Sequence, residues 1–222
     1  MPGEAAWGAI FDWDGVVIDS SRSHEQSWEL LAAEEGRTLP GDHFTLGFGR
    51  KNEIIIPEIL GWTTDPMQIA RLSLRKEALY RELVIGRELD PMPGVRPWLE
   101  RLRDAGVPCS VGTSTHLANI EVSMAKTGLA PFFRGVITSE NVQLGKPNPE
   151  VFIKAALLIR RDPEKCVVFE DSFAGLKAAR NGGMKAVGVA TTNPAAALAG
   201  HADRIVHRLD ELEIAELATW FA

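Results

Sequence analysis

Two aspartates one residue apart follow a short apolar run, in Ala9-Ile10-Phe11-Asp12-Trp13-Asp14-Gly15. Side chains alternate faces along a strand, so Asp12 and Asp14 leave its end on the same side. Two ionised carboxylates that close repel, unless a divalent cation holds both or one keeps its proton. Gly15 comes next, where the chain must turn sharply without a Cβ clash. The pair reads as an aspartate nucleophile, Asp12, beside an aspartate acid/base, Asp14, whose proton affinity is expected to rise from crowding by Asp12. Hard carboxylate ligands of this kind suit Mg²⁺. The segment also fits a plain turn. It does not fit a calcium-binding loop, because the fifth, sixth and twelfth positions counted from Asp12 are Val16, Val17 and Ser23.

Three further clusters follow apolar runs. Thr113-Ser114-Thr115 comes after the run 107–112, and hydroxyls and amides at such a turn suit phosphate oxygens, although Ser and Thr are also ordinary helix caps. Lys146 lies in Gly145-Lys146-Pro147-Asn148-Pro149, where it can pair with a nucleophilic carboxylate and with moving phosphate charge, or simply be solvated. This is not a nucleotide-binding P-loop, since Pro147 stands where Ser or Thr is required. Glu170-Asp171-Ser172 follows the run 166–169. Acids at the end of an apolar strand are costly to bury unpaired, and a metal shared with Asp12 removes that cost.

The elements that must position these residues read as follows. Strands are expected over 7–12, 107–112, 135–138, 166–169, 185–190 and 204–206. Helices are expected over 95–105, 117–127, 149–159, 173–181, 194–199 and 209–218. Repeated strand–helix units argue an α/β fold with a doubly wound, parallel, Rossmann-like sheet, which binds ligands beyond the carboxyl ends of its strands. Residues 20–90 break that alternation. They read as helical throughout, with helices from about 23, over 53–60 (kinked or restarted at Pro57) and over 66–86. A Rossmann-like core of 1–19 and 91–222 with an inserted all-helical cap of 20–90 is the expected organisation.

Bulk properties narrow the field. The 222 residues allow one large domain with an insertion, and a hydrophobic content of 45% supports a substantial core. The formal net charge of −6, without a basic run, argues against a nucleic-acid partner. No apolar run reaches membrane-spanning length, and the first residues lack the flank and apolar stretch of a signal peptide, so a cytoplasmic protein without a membrane partner is expected. Cys109 and Cys166 lack metal-ligand spacing and read as buried thiols. A monomer is expected by default.

Taken together, FDWDGVVIDS, SVGTST, GKPNPEVF and VVFEDSFAG resemble the four motifs of the haloacid dehalogenase superfamily, over nearly the whole chain. The resemblance implies that Asp12 attacks phosphorus to form an aspartyl phosphate. It implies that Asp14 protonates the leaving oxygen and then activates water, its backbone carbonyl ligating Mg²⁺. Thr113 and Lys146 would hold the phosphoryl group, with Ser114 and Thr115 nearby. Asp171 would ligate Mg²⁺ and Glu170 support that site. Asp14 argues against the branches that lack a carboxylate there. The nearest likeness is to the β-phosphoglucomutase-like branch, which places His24 beside Asp14 and Arg50 on a substrate's second phosphate. Leu46 stands where that mutase has a cap lysine. The resemblance therefore implies a Mg²⁺-dependent phosphatase of small phosphorylated metabolites, sugar phosphates first, with a sugar-phosphate mutase as the alternative. Trp13 and Phe48 would shape the pocket or pack beside it.

Overall fold

The first apolar run forms β1 (Gly8–Phe11), buried along its length, in a computed structural model that describes residues 5–47 and 49–221. The chain then leaves the sheet for α1 (Ser21–Glu34), α2 (His43–Gly47), α3 (Asn52–Ile54) and α4 (Pro66–Ile85). No described residue between 19 and 90 is in a strand. Asp65 caps α4 by accepting from the Met67 amide at 3.0 Å, with Pro66 at the first position where its missing N–H costs nothing. This helical layer has its own apolar centre around Trp28, Leu31, Ile56, Leu72 and Leu79.

Strand–helix alternation resumes with α5 (Val95–Asp104), β2 (Cys109–Gly112), α6 (Leu117–Thr127), β3 (Val136–Ile137), α7 (Glu150–Leu158) and β4 (Cys166–Glu170). It continues through α8 (Phe173–Asn181), β5 (Lys185–Val189), α9 (Ala195–Leu198), β6 (Arg204–Val206) and α10 (Ile214–Ala218). The strands pair in parallel in the order β3-β2-β1-β4-β5-β6. Strand order reverses between β1 and β4, which is where such sheets place ligands. Alternation sends Phe11 and Phe169 to one face, stacked at 4.5 Å, and Ile10 and Val168 to the other. Both faces are covered by helices, as a parallel sheet requires. The two chain crossings to the helical layer lie together, with the Met92 amide donating to the Val17 carbonyl at 2.9 Å and Ile18 bridging Pro91. No helix among the described residues is long and apolar enough to cross a membrane. Cys109 and Cys166 are buried and unbridged, and burial pushes both thiols up to about 12.

Two elements differ from expectation. The helix expected over 53–60 is three α-helical residues followed by a π-helical turn, Ile55–Ile59, because Pro57 has no N–H for the regular ladder. The final helix expected over 209–218 is split into a 3₁₀ turn, Leu209–Glu211, and α10. Arg101 takes the Asp210 and Leu212 carbonyls at 2.9 Å each, so they are not free for a continuous helix.

Candidate active site

Parallel pairing of Phe11 with Phe169 sets the ends of β1 and β4 side by side, and the Asp12 amide donates to the Phe169 carbonyl at 3.0 Å. Asp12 therefore meets Glu170, the last residue of β4, and Asp171 just beyond it. All three are buried, and one carboxylate oxygen from each lies within 4.8 Å of the others. Lys146 reaches in from the loop before α7. Its ammonium stands 2.7 Å from Glu170 Oε1 and 3.1 Å from Asp12 Oδ1, over the Phe152 ring.

Burial pushes Asp12 up to about 7, against the pull of Lys146 and with the push of Glu170 and Asp14. Burial, Glu170 and Asp12 raise Asp171 well above the usual carboxylate range. Burial also works against Glu170, but Lys146 and the Ser172 amide hold it below its ordinary value. Burial disfavours the Lys146 ammonium, and Asp12 and Glu170 reverse that, so it stays charged. Three acids around one ammonium carry more negative than positive charge, and a divalent cation would remove the excess.

The donor set fits such an ion. Both Glu170 oxygens are engaged, Oε1 by Lys146 and the Ser172 hydroxyl and Oε2 by the Ser172 amide. By contrast, Asp171 Oδ1 is buried without a hydrogen-bond partner, and Asp12 Oδ1 faces the Lys146 ammonium at 3.1 Å without an aligned hydrogen bond. Buried acceptors of that kind call for a ligand. Asp12 and Asp171 would hold such a cation directly, with Glu170 fixing Lys146 beside them. Asp14 is not in this cluster through its side chain, so its expected contribution is its backbone carbonyl alone.

Two glycines make room for the cluster. A Cβ on Gly15, whose φ is +79°, would overlap Asp171 Oδ2, and one on Gly175 would overlap Glu170 Oε1. In an ordinary helix interior alanine stabilises relative to glycine by about 1 kcal/mol. Gly175→Ala is expected to show the opposite sign, a loss of about 1–3 kcal/mol from forced repacking, together with lower activity as Glu170 and Lys146 are displaced. Urea unfolding checks the sign.

Asp14 faces the helical layer. It accepts from the Ser20 hydroxyl at 2.5 Å, from the Thr115 hydroxyl and from His24 Nε2 at 3.3 Å. Burial raises it, but His24, Ser20 and Thr115 outweigh burial and hold it at about 2. The expectation that crowding by Asp12 raises Asp14 is therefore wrong. Asp12 is the one raised, because burial and the neighbouring acids outweigh the pull of Lys146, whereas at Asp14 the donors outweigh burial.

His24 stacks on Tyr80 at 4.0 Å and its Nδ1 accepts from Lys76 at 2.7 Å. An ammonium only donates, so the ring proton sits on Nε2, facing Asp14. Lys76 is paired with Glu77 at 3.0 Å. Glu77 also accepts from Asn52 at 2.7 Å and from Asn119 on α6, across the layer boundary. Sequence reasoning missed Lys76 and Glu77. The signal was available: Lys76 stands four residues from both Leu72 and Tyr80, on the buried stripe of α4.

Glu77 gives a pH prediction. Burial raises it, but Lys76, His24 and Asn52 bring it down to about 2 from an ordinary 4.5. A depressed folded-state value contributes stability that is fully present above the unfolded-state pKa and is lost as pH falls through the folded one. The stability gap between the parent and Glu77→Gln, measured by urea unfolding, is expected to be constant from pH 7 to about 5 and to close between about 4.5 and 2.

The remaining expected residues are placed as follows. Thr113 is buried at the end of β2, and its hydroxyl accepts from the Thr115 amide at 3.1 Å. Ser114 donates to the Gly49 carbonyl at 2.9 Å, joining the sheet layer to the helical one. Arg50 is exposed at the cleft that Asp12, Asp14, His24 and Thr113 also line. Among the described residues its guanidinium meets neither Asp12 nor Lys146. Leu46 is half exposed. Trp13 is buried and donates to Ser123 at 2.8 Å, tying the Asp12 loop to α6; Phe48 lies outside the described residues.

The family model for haloacid dehalogenase-like hydrolases matches residues 8–183. The chain belongs to that family. It is 38% identical over 212 residues to the chloroplastic 5-amino-6-(5-phospho-D-ribitylamino)uracil phosphatase of Arabidopsis thaliana, a match that covers 95% of this chain and 56% of the plant protein. It is 29% identical over 185 residues to the fructose-1-phosphate phosphatase YqaB of Escherichia coli, covering 82% of this chain and 95% of that one. The β-phosphoglucomutase of Clostridium difficile superposes with a TM-score of 0.84 at 20% identity, covering 96% of each chain, and shares the fold. The family is one of hydrolases, and both relatives are phosphatases by name.

Proposed function

We propose that this haloacid dehalogenase-like hydrolase is a Mg²⁺-dependent phosphatase of small phosphorylated metabolites, with phosphorylated sugars and sugar-like chains as its substrate class. The observation that carries the proposal is the buried cluster in which Lys146 lies 3.1 Å from Asp12 Oδ1 while Asp171 Oδ1, within the same group of acids, is buried without a hydrogen-bond partner.

In this account an Asp12 oxygen attacks phosphorus in line, and the bond from phosphorus to the ester oxygen breaks. The leaving alkoxide takes a proton from Asp14. Water then attacks the aspartyl phosphate, Asp14 takes its proton, and orthophosphate leaves as the Asp12 carboxylate is restored. Lys146 neutralises the moving phosphoryl oxygens, and Thr113 orients them. Mg²⁺ when bound adds charge neutralisation at the same oxygens. Ser20, Thr115 and His24 hold Asp14 ionised, which suits the second proton transfer. The first needs the protonated form, so Asp14 must exchange those donors for the ester oxygen.

Both named relatives act, by their names, on a phosphate carried by a polyhydroxylated carbon chain, which supports the substrate class. Leu46 offers no charge to a second phosphate, which supports hydrolysis over a mutase reaction. A phosphate-release screen tests the proposal, led by fructose 1-phosphate and 5-amino-6-(5-phospho-D-ribitylamino)uracil, with and without Mg²⁺. Release from at least one such ester that stops on chelation is the expected result. Equal release with the Asp12→Asn variant would overturn it.

A further inference from the structure

Three consecutive residues after β5 hold the two loops that carry the acids. Thr191 donates its hydroxyl to the Gly15 carbonyl at 2.6 Å. The Thr192 hydroxyl donates to Asp171 Oδ2. Asn193 donates its side-chain amide to the Asp171 carbonyl at 2.9 Å. Asp171 is therefore fixed at its main chain and at one carboxylate oxygen. The other oxygen, Oδ1, is buried, has no partner and belongs to the residue set that also brings in Asp12 and Glu170. A hydroxyl that only joined two loops would have no reason to leave the second oxygen both buried and unpaired, because that costs the desolvation of an acceptor.

We propose that Thr192 is a positioning residue for the cation site: by occupying Asp171 Oδ2 it restricts Asp171 to one metal-facing oxygen, which favours Mg²⁺ over Ca²⁺. Ca²⁺ takes six to eight oxygens and commonly uses both oxygens of a carboxylate, whereas Mg²⁺ takes six in an octahedron and accepts one from each. Gly15 contributes by leaving the space that Asp171 Oδ2 and the Thr192 hydroxyl fill, which a Cβ would obstruct. The inference rests on the cation site of the proposed function.

Calorimetric titration of Mg²⁺ and, separately, of Ca²⁺ into the substrate-free full chain tests it, for the parent, Thr192→Val and Thr192→Ser. Thr192→Val is expected to bind Mg²⁺ about tenfold more weakly, the loss usual for removing a partner of a metal ligand, while Ca²⁺ binding is kept or strengthened. Thr192→Ser, which restores the hydroxyl, is expected to return both affinities to those of the parent. Thr192→Val affinities within twofold of the parent for both cations would overturn the inference, as would an equal loss for both. If Thr192→Val does not fold, as judged by circular dichroism, Thr192→Ala takes its place. Failure of both to fold would also overturn the inference, since the residue would then be structural. A parent chain that binds no Mg²⁺ would instead remove the cation site and the proposed function with it.

Discussion

Lys146→Met is expected to destabilise the fold by about 3–5 kcal/mol, the usual result of removing one partner from a buried ion pair. The Lys146 side chain is fully buried and is the cation that meets both Asp12 and Glu170. Methionine fills much the same volume over the Phe152 ring, so packing is largely kept and the loss is electrostatic. Two acids would then share a dry site without their ammonium. Glu170, held below its ordinary pKa by Lys146, would move upward and take a proton. The same substitution made with Glu170→Gln should cost much less, because the stranded charge is gone. Urea unfolding of the single and double variants measures that coupling. Turnover should collapse in both, since neither has the Lys146 ammonium on the phosphoryl group. Equal stability losses in the two backgrounds would mean that the pair is not what Lys146 contributes.

Asp12→Asn is expected to behave in the opposite way towards stability while abolishing turnover. Losing a nucleophile that forms the covalent intermediate costs on the order of 10⁴-fold or more in kcat. Asp12 is also a source of repulsion in the fold, since burial and its acidic neighbours push it up to about 7. An amide of the same shape removes part of that repulsion, so without Mg²⁺ the variant should unfold at or above the temperature of the parent. The gain from adding Mg²⁺ should shrink, because one metal-facing oxygen now carries no charge. Thermal unfolding with and without Mg²⁺ checks both signs. A strongly destabilised variant would mean that Asp12 is a structural partner of Lys146 before it is a nucleophile.

These residues differ in how far the sequence alone reveals them. Asp12, Thr113 and Asp171 could be read because each follows an apolar run that has few options but a buried strand, and parallel strands bring their carboxyl ends to one place. Glu170 and Lys146 followed from the same layout, but their mutual contact did not. The sequence suggested Glu170 as part of the metal site, and the structure shows both of its oxygens used on Lys146 and Ser172. Proton affinities were less accessible still. Asp14 is separated by a single residue from a raised acid, yet Ser20 and His24 at the start of α1 and Thr115 after β2 come from two distant segments to lower it. Lys76, Glu77 and Thr192 stayed hidden for a related reason. Their partners lie 52, 42 and 21 positions away in the chain, and an isolated polar residue does not say which one it will meet. Pro57 marked a disturbance in the helix but not its π-helical form.

The most direct measurement traps the covalent intermediate. Protein mixed with a phosphate ester it hydrolyses, in Mg²⁺, is quenched in acid within one turnover, reduced with borohydride and mapped by peptide mass spectrometry. Borohydride converts an acyl phosphate, but not a free carboxylate, to an alcohol. The modification is expected on Asp12 alone, and only when the ester is present. Phosphate release with Asp12 unmodified, or modification of Asp14 instead, would contradict it.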